Sequence, residues 1–251
     1  MGRIIVVSSG KGGVGKTTLV SNLATVLTGL NYNVVAVDAN LTTPNLGIQL
    51  GIPLYPVTIQ NVINGDVRLK DATYRHKAGF KIVPADISFT NMSKAKREDF
   101  MSIFYELADE FDFVLIDSAA GLGKEARMSI EASDELITVV NPELQSLIDA
   151  LKLVRIAKNN QTEHLGIVVN RVGYDATSDI KMKEIEEFLN SPIIGKIPED
   201  KNVRRALKRK EPVVTYKPHA KASQGIKLLA SKIAGVEYKT SSFGRVFSWL
   251  K

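Results

Sequence analysis

The 251-residue sequence predicts a doubly wound α/β fold, a mostly parallel β-sheet flanked by helices, ending in an amphipathic tail. Three observations predict it. Short runs rich in Val, Ile and Phe recur at residues 3–8, 33–37, 80–84, 113–117, 136–140, 166–170 and 193–197. They are nearly continuous in apolar residues, as strands covered on both faces are. Helical patterns separate them at residues 15–30, 94–111, 124–131, 142–159, 180–189 and 219–233, and repeated strand–helix–strand units build a parallel sheet. The residues able to do chemistry follow the strands, and ligands of such sheets sit at the carboxyl ends of strands.

Composition narrows the class. Hydrophobic residues at 44% and charged residues at 24% are ordinary globular usage, which removes the disordered and fibrous classes. The absence of cysteine removes disulfides, zinc fingers and thiolate-held iron–sulfur clusters. No apolar run approaches the roughly 20 residues that cross a bilayer. Met1-Gly2-Arg3 leads directly into a strand pattern, so no signal peptide is read there, and Val6 stands where N-myristoylation needs Ser or Thr. The expectation is a cytoplasmic protein. Net charge is +6, and cations crowd one stretch: Lys201, Arg204, Arg205, Lys208, Arg209, Lys210, Lys217 and Lys221, opposed by Glu211. Such a stretch is either a solvated helix face or an attractor of polyanions.

The first strand opens into Gly10-Lys11-Gly12-Gly13-Val14-Gly15-Lys16-Thr17, which fits the phosphate-binding loop G-x-x-x-x-G-K-[ST] in the strand-to-helix context it requires. Glycines let successive backbone N–H groups wrap phosphates, and the following helix adds its positive N-terminal end. Gly10, Gly12, Gly13, Val14, Gly15, Lys16, Thr17 and Thr18 are therefore assigned to ATP or ADP, with Lys16 on the β- and γ-phosphates and Thr17 on Mg²⁺.

Lys11 adds a finer signal. Lys11 to Thr18, K-G-G-V-G-K-T-T, resembles the deviant Walker A loop of the MinD/ParA family, closest to archaeal MinD-like proteins. The resemblance implies that Lys11 crosses a dimer interface to the partner's nucleotide, so that ATP joins two copies face to face. A cation beside the γ-phosphate neutralises charge that opposes association, and can stabilise a transition state.

The second strand ends at Asp38, placed to lie near Mg²⁺. Where the family usually has D-x-D, this sequence has Asp38-Ala39-Asn40. An amide can accept one hydrogen bond from water but cannot take a proton, so hydrolysis is expected to be slow. The segment Leu41 to Leu46 resembles the family's switch I. The strand at 113–117 ends at Asp117, the Walker B carboxylate that holds a Mg²⁺-bound water, and Ser118-Ala119-Ala120-Gly121 resembles switch II with Ala119 replacing proline. Lys11, Lys16, Asn40 and Asp117 are the catalytic candidates, and Thr17, Asp38 and Asp117 the metal candidates.

Further on, Val140-Asn141-Pro142-Glu143 follows a strand as in MinD proteins, and Asn170-Arg171 follows the next. Asn170 matches the position whose amide recognises adenine, a base that offers a donor at N6 and an acceptor at N7. Pro198-Glu199 supplies a loop for the other edge of the base. The resemblance spans residues 3 to 235 or so, within an expected ATPase domain of residues 1–236.

Residues 237–251 are expected to be a flexible linker and tail. Phe243, Val246, Phe247 and Leu250 fall on one helical face, with Trp249 beside them and Arg245 opposite, the pattern of an interfacial helix. Two tails on one dimer bind more tightly than one by an effective-concentration factor of about 10² to 10⁴, which would turn ATP-driven dimerisation into reversible attachment to an anionic membrane surface. The leading expectation is thus a peripheral ATPase on the inner face of the cell membrane. It would position cellular machinery such as a division site or surface appendage, with an unidentified protein activating it or being recruited. The alternatives are a ParA-like segregation ATPase gripping DNA through residues 201–221, and a regulatory nucleotide-binding module with vestigial hydrolysis.

Overall fold

A computed structural model describes residues 1–52, 54–87, 95–175 and 179–238. The tail residues Phe243, Val246, Phe247, Trp249 and Leu250 lie outside the described residues.

In chain order the elements are β1 (Arg3–Ser9), α1 (Lys16–Gly29), β2 (Val34–Asp38), α2 (Leu46–Gln49), α3 (Ile59–Ile63), β3 (Tyr74–Arg75), β4 (Lys81–Val83), α4 (Arg97–Glu110), β5 (Phe113–Ala120), α5 (Lys124–Glu131), β6 (Glu135–Val140), α6 (Leu144–Asn159), β7 (Glu163–Val172), α7 (Met182–Leu189), β8 (Ile193–Pro198), α8 (Lys201–Lys208), α9 (Val213–Tyr216) and α10 (Lys221–Ile233), with a 3₁₀ turn at Leu69–Ala72. They form a sheet in the order β3-β4-β2-β5-β1-β6-β7-β8. Every pairing is parallel except β3 with β4.

Strand periodicity explains the layering. Along β1, Ile5 and Val7 face one side and join α1, α9 and α10 through Leu23, Leu27, Val214, Ile226 and Leu229. Ile4 and Val6 face the other side and meet Phe100 and Phe104 of α4 with Met128 and Ile130 of α5. Side chains of a strand alternate between faces, so a run of consecutive apolar residues feeds two cores at once. All four β1 residues are fully buried.

The predicted strands and long helices are present, with small shifts at their ends. The helix expected from residue 94 begins at Arg97, where Asp99 accepts from the Lys96 N–H at 2.8 Å. The helix expected from Pro142 begins at Leu144. The antiparallel β3 and the short helices α2, α3 and α9 were not anticipated, and the basic stretch from Lys201 forms α8. Asp200 caps α8 by accepting from the Asn202 N–H at 2.8 Å. Among the described residues no helix is long and apolar enough to cross a membrane.

The order of strands positions the site. β1 connects through α1 to β2 on one side, whereas its neighbour β6 connects through α6 to β7 on the other, and a crevice opens at the carboxyl ends of two strands whose connections diverge. Residues 10–15 turn across this crevice from β1 into α1.

Candidate nucleotide-binding site

The phosphate loop is built by close packing and by left-handed backbone. A Cβ on Gly10 would stand 2.2 Å from Asp149 Cβ, because α6 lies directly against the loop. Gly15 has φ +104, and a Cβ there would meet Asn170 Nδ2 at 2.4 Å. Any larger residue at either position would push the loop off its supports.

Lys16, in the first turn of α1, is buried, and its ammonium donates to Ser9 Oγ at 3.0 Å. Ser9 Oγ in turn donates to the Lys11 carbonyl at 2.7 Å, so one hydroxyl fixes the lysine and the entrance of the loop together. Burial lowers the pKa of Lys16, while the negative charge of Asp117 opposes that shift.

Asp38 and Asp117 face each other in register across β2 and β5, both buried. Asp38 Oδ2 accepts from the N–H groups of Asn45 and Leu46, each at 3.0 Å, and Oδ1 accepts from the Asn40 N–H at 3.2 Å. Burial, reinforced by Asp117, raises its pKa well above the usual carboxylate range. Asp117 is pushed up to about 6, by burial first, against a hydrogen bond from the Thr17 hydroxyl and the charge of Lys16. Asp117 Oδ1 is buried without a hydrogen-bond partner. A buried oxygen left over beside a threonine hydroxyl is what a hard divalent cation takes as a ligand. Mg²⁺ is normally held by one or two protein oxygens plus phosphates, and among the described residues no three acidic or histidine side chains gather to hold a metal.

Asn170 and Arg171 stand at the end of β7. Asn170 Nδ2 donates to the Val14 carbonyl at 2.6 Å, and Arg171 Nη2 donates to the Gly13 carbonyl at 2.9 Å. Both therefore brace the phosphate loop, a role the sequence did not suggest. An amide nitrogen carries two hydrogens, so Asn170 keeps one donor and its oxygen for a base. Gly15, Thr18, Asn170, Arg171, Pro198 and Glu199 line one cavity of about 190 Å³, which brings the residues expected at the base together.

Two candidates point elsewhere. Asn40 is folded onto Thr43: its Oδ1 accepts from the Thr43 hydroxyl at 3.1 Å and its Nδ2 donates to the Thr43 carbonyl at 2.5 Å. Lys11 is half-exposed and pairs with Glu143 within its own chain.

A family model for the CobQ/CobB/MinD/ParA nucleotide-binding domain matches residues 5–213. The chain belongs to the MinD/ParA family. An ATP-binding protein of Methanocaldococcus jannaschii is 38% identical over 235 residues, covering 94% of this chain and 89% of its own. The cell division ATPase MinD of Pyrococcus furiosus superimposes with a TM-score of 0.89 at 35% identity, over 94% of this chain and 99% of its own. The septum site-determining MinD of Pyrococcus horikoshii, solved with Mg-ADP, does so with 0.88 at 34%, over 93% and 96%. This member of the family is thus close to archaeal MinD-like proteins.

In this MinD/ParA site the sequence reading missed the apolar lining that Leu19, Val203, Leu207 and Ile226 give the cavity beside Asn170. Val203 and Leu207, four apart on α8 in a stretch otherwise rich in cations, were the available signal. Apolar residues at that spacing share a helix face.

Proposed function

We propose that the chain is a MinD-like ATPase that binds ATP with Mg²⁺, dimerises through it, and attaches reversibly to membrane to position cellular machinery. The observation that carries this reading is the arrangement around the phosphate loop. One lysine is buried beside the paired carboxylates and a second is exposed at the loop's lip.

Backbone N–H groups of Gly12 to Thr18 would receive the phosphates, with Lys16 leaving Ser9 for the β- and γ-oxygens. Thr17 and Asp117 would hold Mg²⁺, Asp117 through a bound water, and Asp38 would order the loop from Asn40 to Leu46 through its three backbone contacts. Mg²⁺ supplies charge neutralisation at the phosphate oxygens. Asn40 would orient water through its carboxamide oxygen, without accepting a proton, which supports slow turnover. Lys11 would reach the nucleotide of a second copy. The cavity beside Asn170 and Pro198 would take the adenine, and residues 237–251 would be the linker and membrane tail behind an ATPase domain of residues 1–236.

Cosedimentation with anionic liposomes tests the reading. Intact protein should pellet with ATP and not with ADP, and removal of residues 241–251 should abolish pelleting while leaving ATP binding intact. ATP-independent pelleting, or none, overturns the membrane part.

A second reading has its own observation. Lys201, Arg204, Arg205, Lys208, Arg209 and Lys210 are all exposed along α8 and the turn after it, a surface suited to a phosphate backbone. DNA binding that falls steeply with salt would favour it.

A further inference from the structure

Tyr174 is 69% exposed, an unusual setting for a large aromatic ring, yet it lines the 190 Å³ base cavity. The turn that carries it is fixed on both sides. Its N–H donates to the Arg171 carbonyl at 3.1 Å, and the Arg171 guanidinium is itself anchored on the Gly13 carbonyl at 2.9 Å. Before it, Gly173 has φ +80 and donates to Asp179 Oδ2 at 2.6 Å. Gly173 provides the left-handed backbone that the turn needs and that a side chain would resist. The ring thus stands on a braced turn and lines the same cavity as Leu19, Ile197 and Pro198.

We propose that Tyr174 is a base-stacking residue that covers the open face of the nucleotide's purine and sets the preference for purines over pyrimidines. The proposal rests on the reading of this cavity as the base site. Any base presents a π-face, and the larger purine overlaps a tyrosine ring more fully, so stacking contributes affinity and a graded selectivity. The cavity's polar groups, Asn170 and Glu199, read base edges. Tyr174 supplies contact area that those groups cannot. The ring also lines a neighbouring groove of about 470 Å³ beside Lys11 and Glu143, so a role in contact with a second copy is the competing account, and the experiment separates the two.

Equilibrium binding of ATP, ADP, CTP and inorganic tripolyphosphate, each with Mg²⁺, is measured on wild type and on Tyr174→Ala, Tyr174→Phe and Tyr174→Trp. Stacking predicts roughly tenfold weaker ATP and ADP binding in the Ala variant, a smaller loss for CTP, and no change for tripolyphosphate. The Phe and Trp variants should bind like wild type. Equal losses for tripolyphosphate would mean a collapsed loop. A loss for ATP without one for ADP would place the ring at a dimer contact. Unchanged affinities would mean that it touches nothing. Each of these overturns the proposal. Wild type that binds tripolyphosphate but no nucleotide preferentially would instead overturn the underlying base-site reading.

Discussion

Lys11 Nζ lies 3.0 Å from Glu143 Oε1 of the same chain, with both side chains about half exposed, at 46% and 48%. The cation proposed to join two copies is therefore engaged at home. The pair is solvated and so contributes at most about 1 kcal/mol, which makes it a small opposing force to association.

If Lys11 has to leave Glu143 to reach a partner, Glu143→Gln should shift dimerisation to lower ATP-analogue concentration, by a few-fold at low salt and less at high salt. Lys11→Ala should remain monomeric with a non-hydrolysable analogue. Sedimentation velocity reads both. A Glu143→Gln protein that dimerises less well would show instead that the carboxylate serves the assembled state.

Asp38 and Asp117 form a buried pair of like charges, with one oxygen of Asp117 unsatisfied. Without cation, such a pair opposes folding. Asp117→Asn should raise the melting temperature of the protein measured in EDTA, by several degrees, and at the same time remove the additional stabilisation given by Mg²⁺ with nucleotide. Differential scanning calorimetry with and without Mg-ADP checks both directions. A lower melting temperature in EDTA would mean that Asp117 is held by compensating contacts.

Asn40→Asp keeps the acceptor for the Thr43 hydroxyl but loses the donor to the Thr43 carbonyl. The side chain is then repelled from that carbonyl and can act as a base. Turnover in a phosphate-release assay should rise by at least about tenfold, a fraction of the roughly 10²- to 10⁴-fold that a fully positioned general base contributes. No gain would mean that water is oriented by another group.

His164 sits between Thr138 Oγ1 and Ser191 Oγ, each 2.9 Å from a ring nitrogen. Burial, partly offset by a backbone hydrogen bond at Gly166, lowers its pKa from 6.5 to about 4. The unfolded chain then binds the proton more readily than the folded one. His164 thus contributes stability that is complete above about pH 6.5 and is lost as pH falls towards 4. The drop in melting temperature from pH 7.5 to 5 should be smaller in His164→Gln than in wild type. Asp38 and Asp117, raised by burial, act in the opposite direction, and they cancel in that comparison.

Much of this was legible in residues close together in the chain. The loop from Gly10 to Thr18 is specified by glycines at turn positions and by a helix that starts at Lys16. Asp38 and Asp117 are specified by apolar strands that end in a carboxylate. The short helices α2, α3 and α9 were not legible, because four or five residues are too few for a period to be read. The two-residue strand Tyr74–Arg75 is too short for an alternation to be read, and its pairing is with Lys81–Ile82 further along the chain.

By itself the sequence determined the parallel strands, the longer helices between them, the phosphate loop and the family, because each depends on neighbours within a turn or a strand. Only the tertiary structure decided that Asn170 and Arg171 brace the Val14 and Gly13 carbonyls from more than 150 residues away, that Lys11 pairs with Glu143, and that Asn40 turns onto Thr43. It also placed Tyr174 in the lining of the cavity beside Asn170. Apart from the local Asn40–Thr43 contact, those relationships come from distant segments brought side by side by hydrophobic burial, and such a partner leaves no trace in the residues next to it.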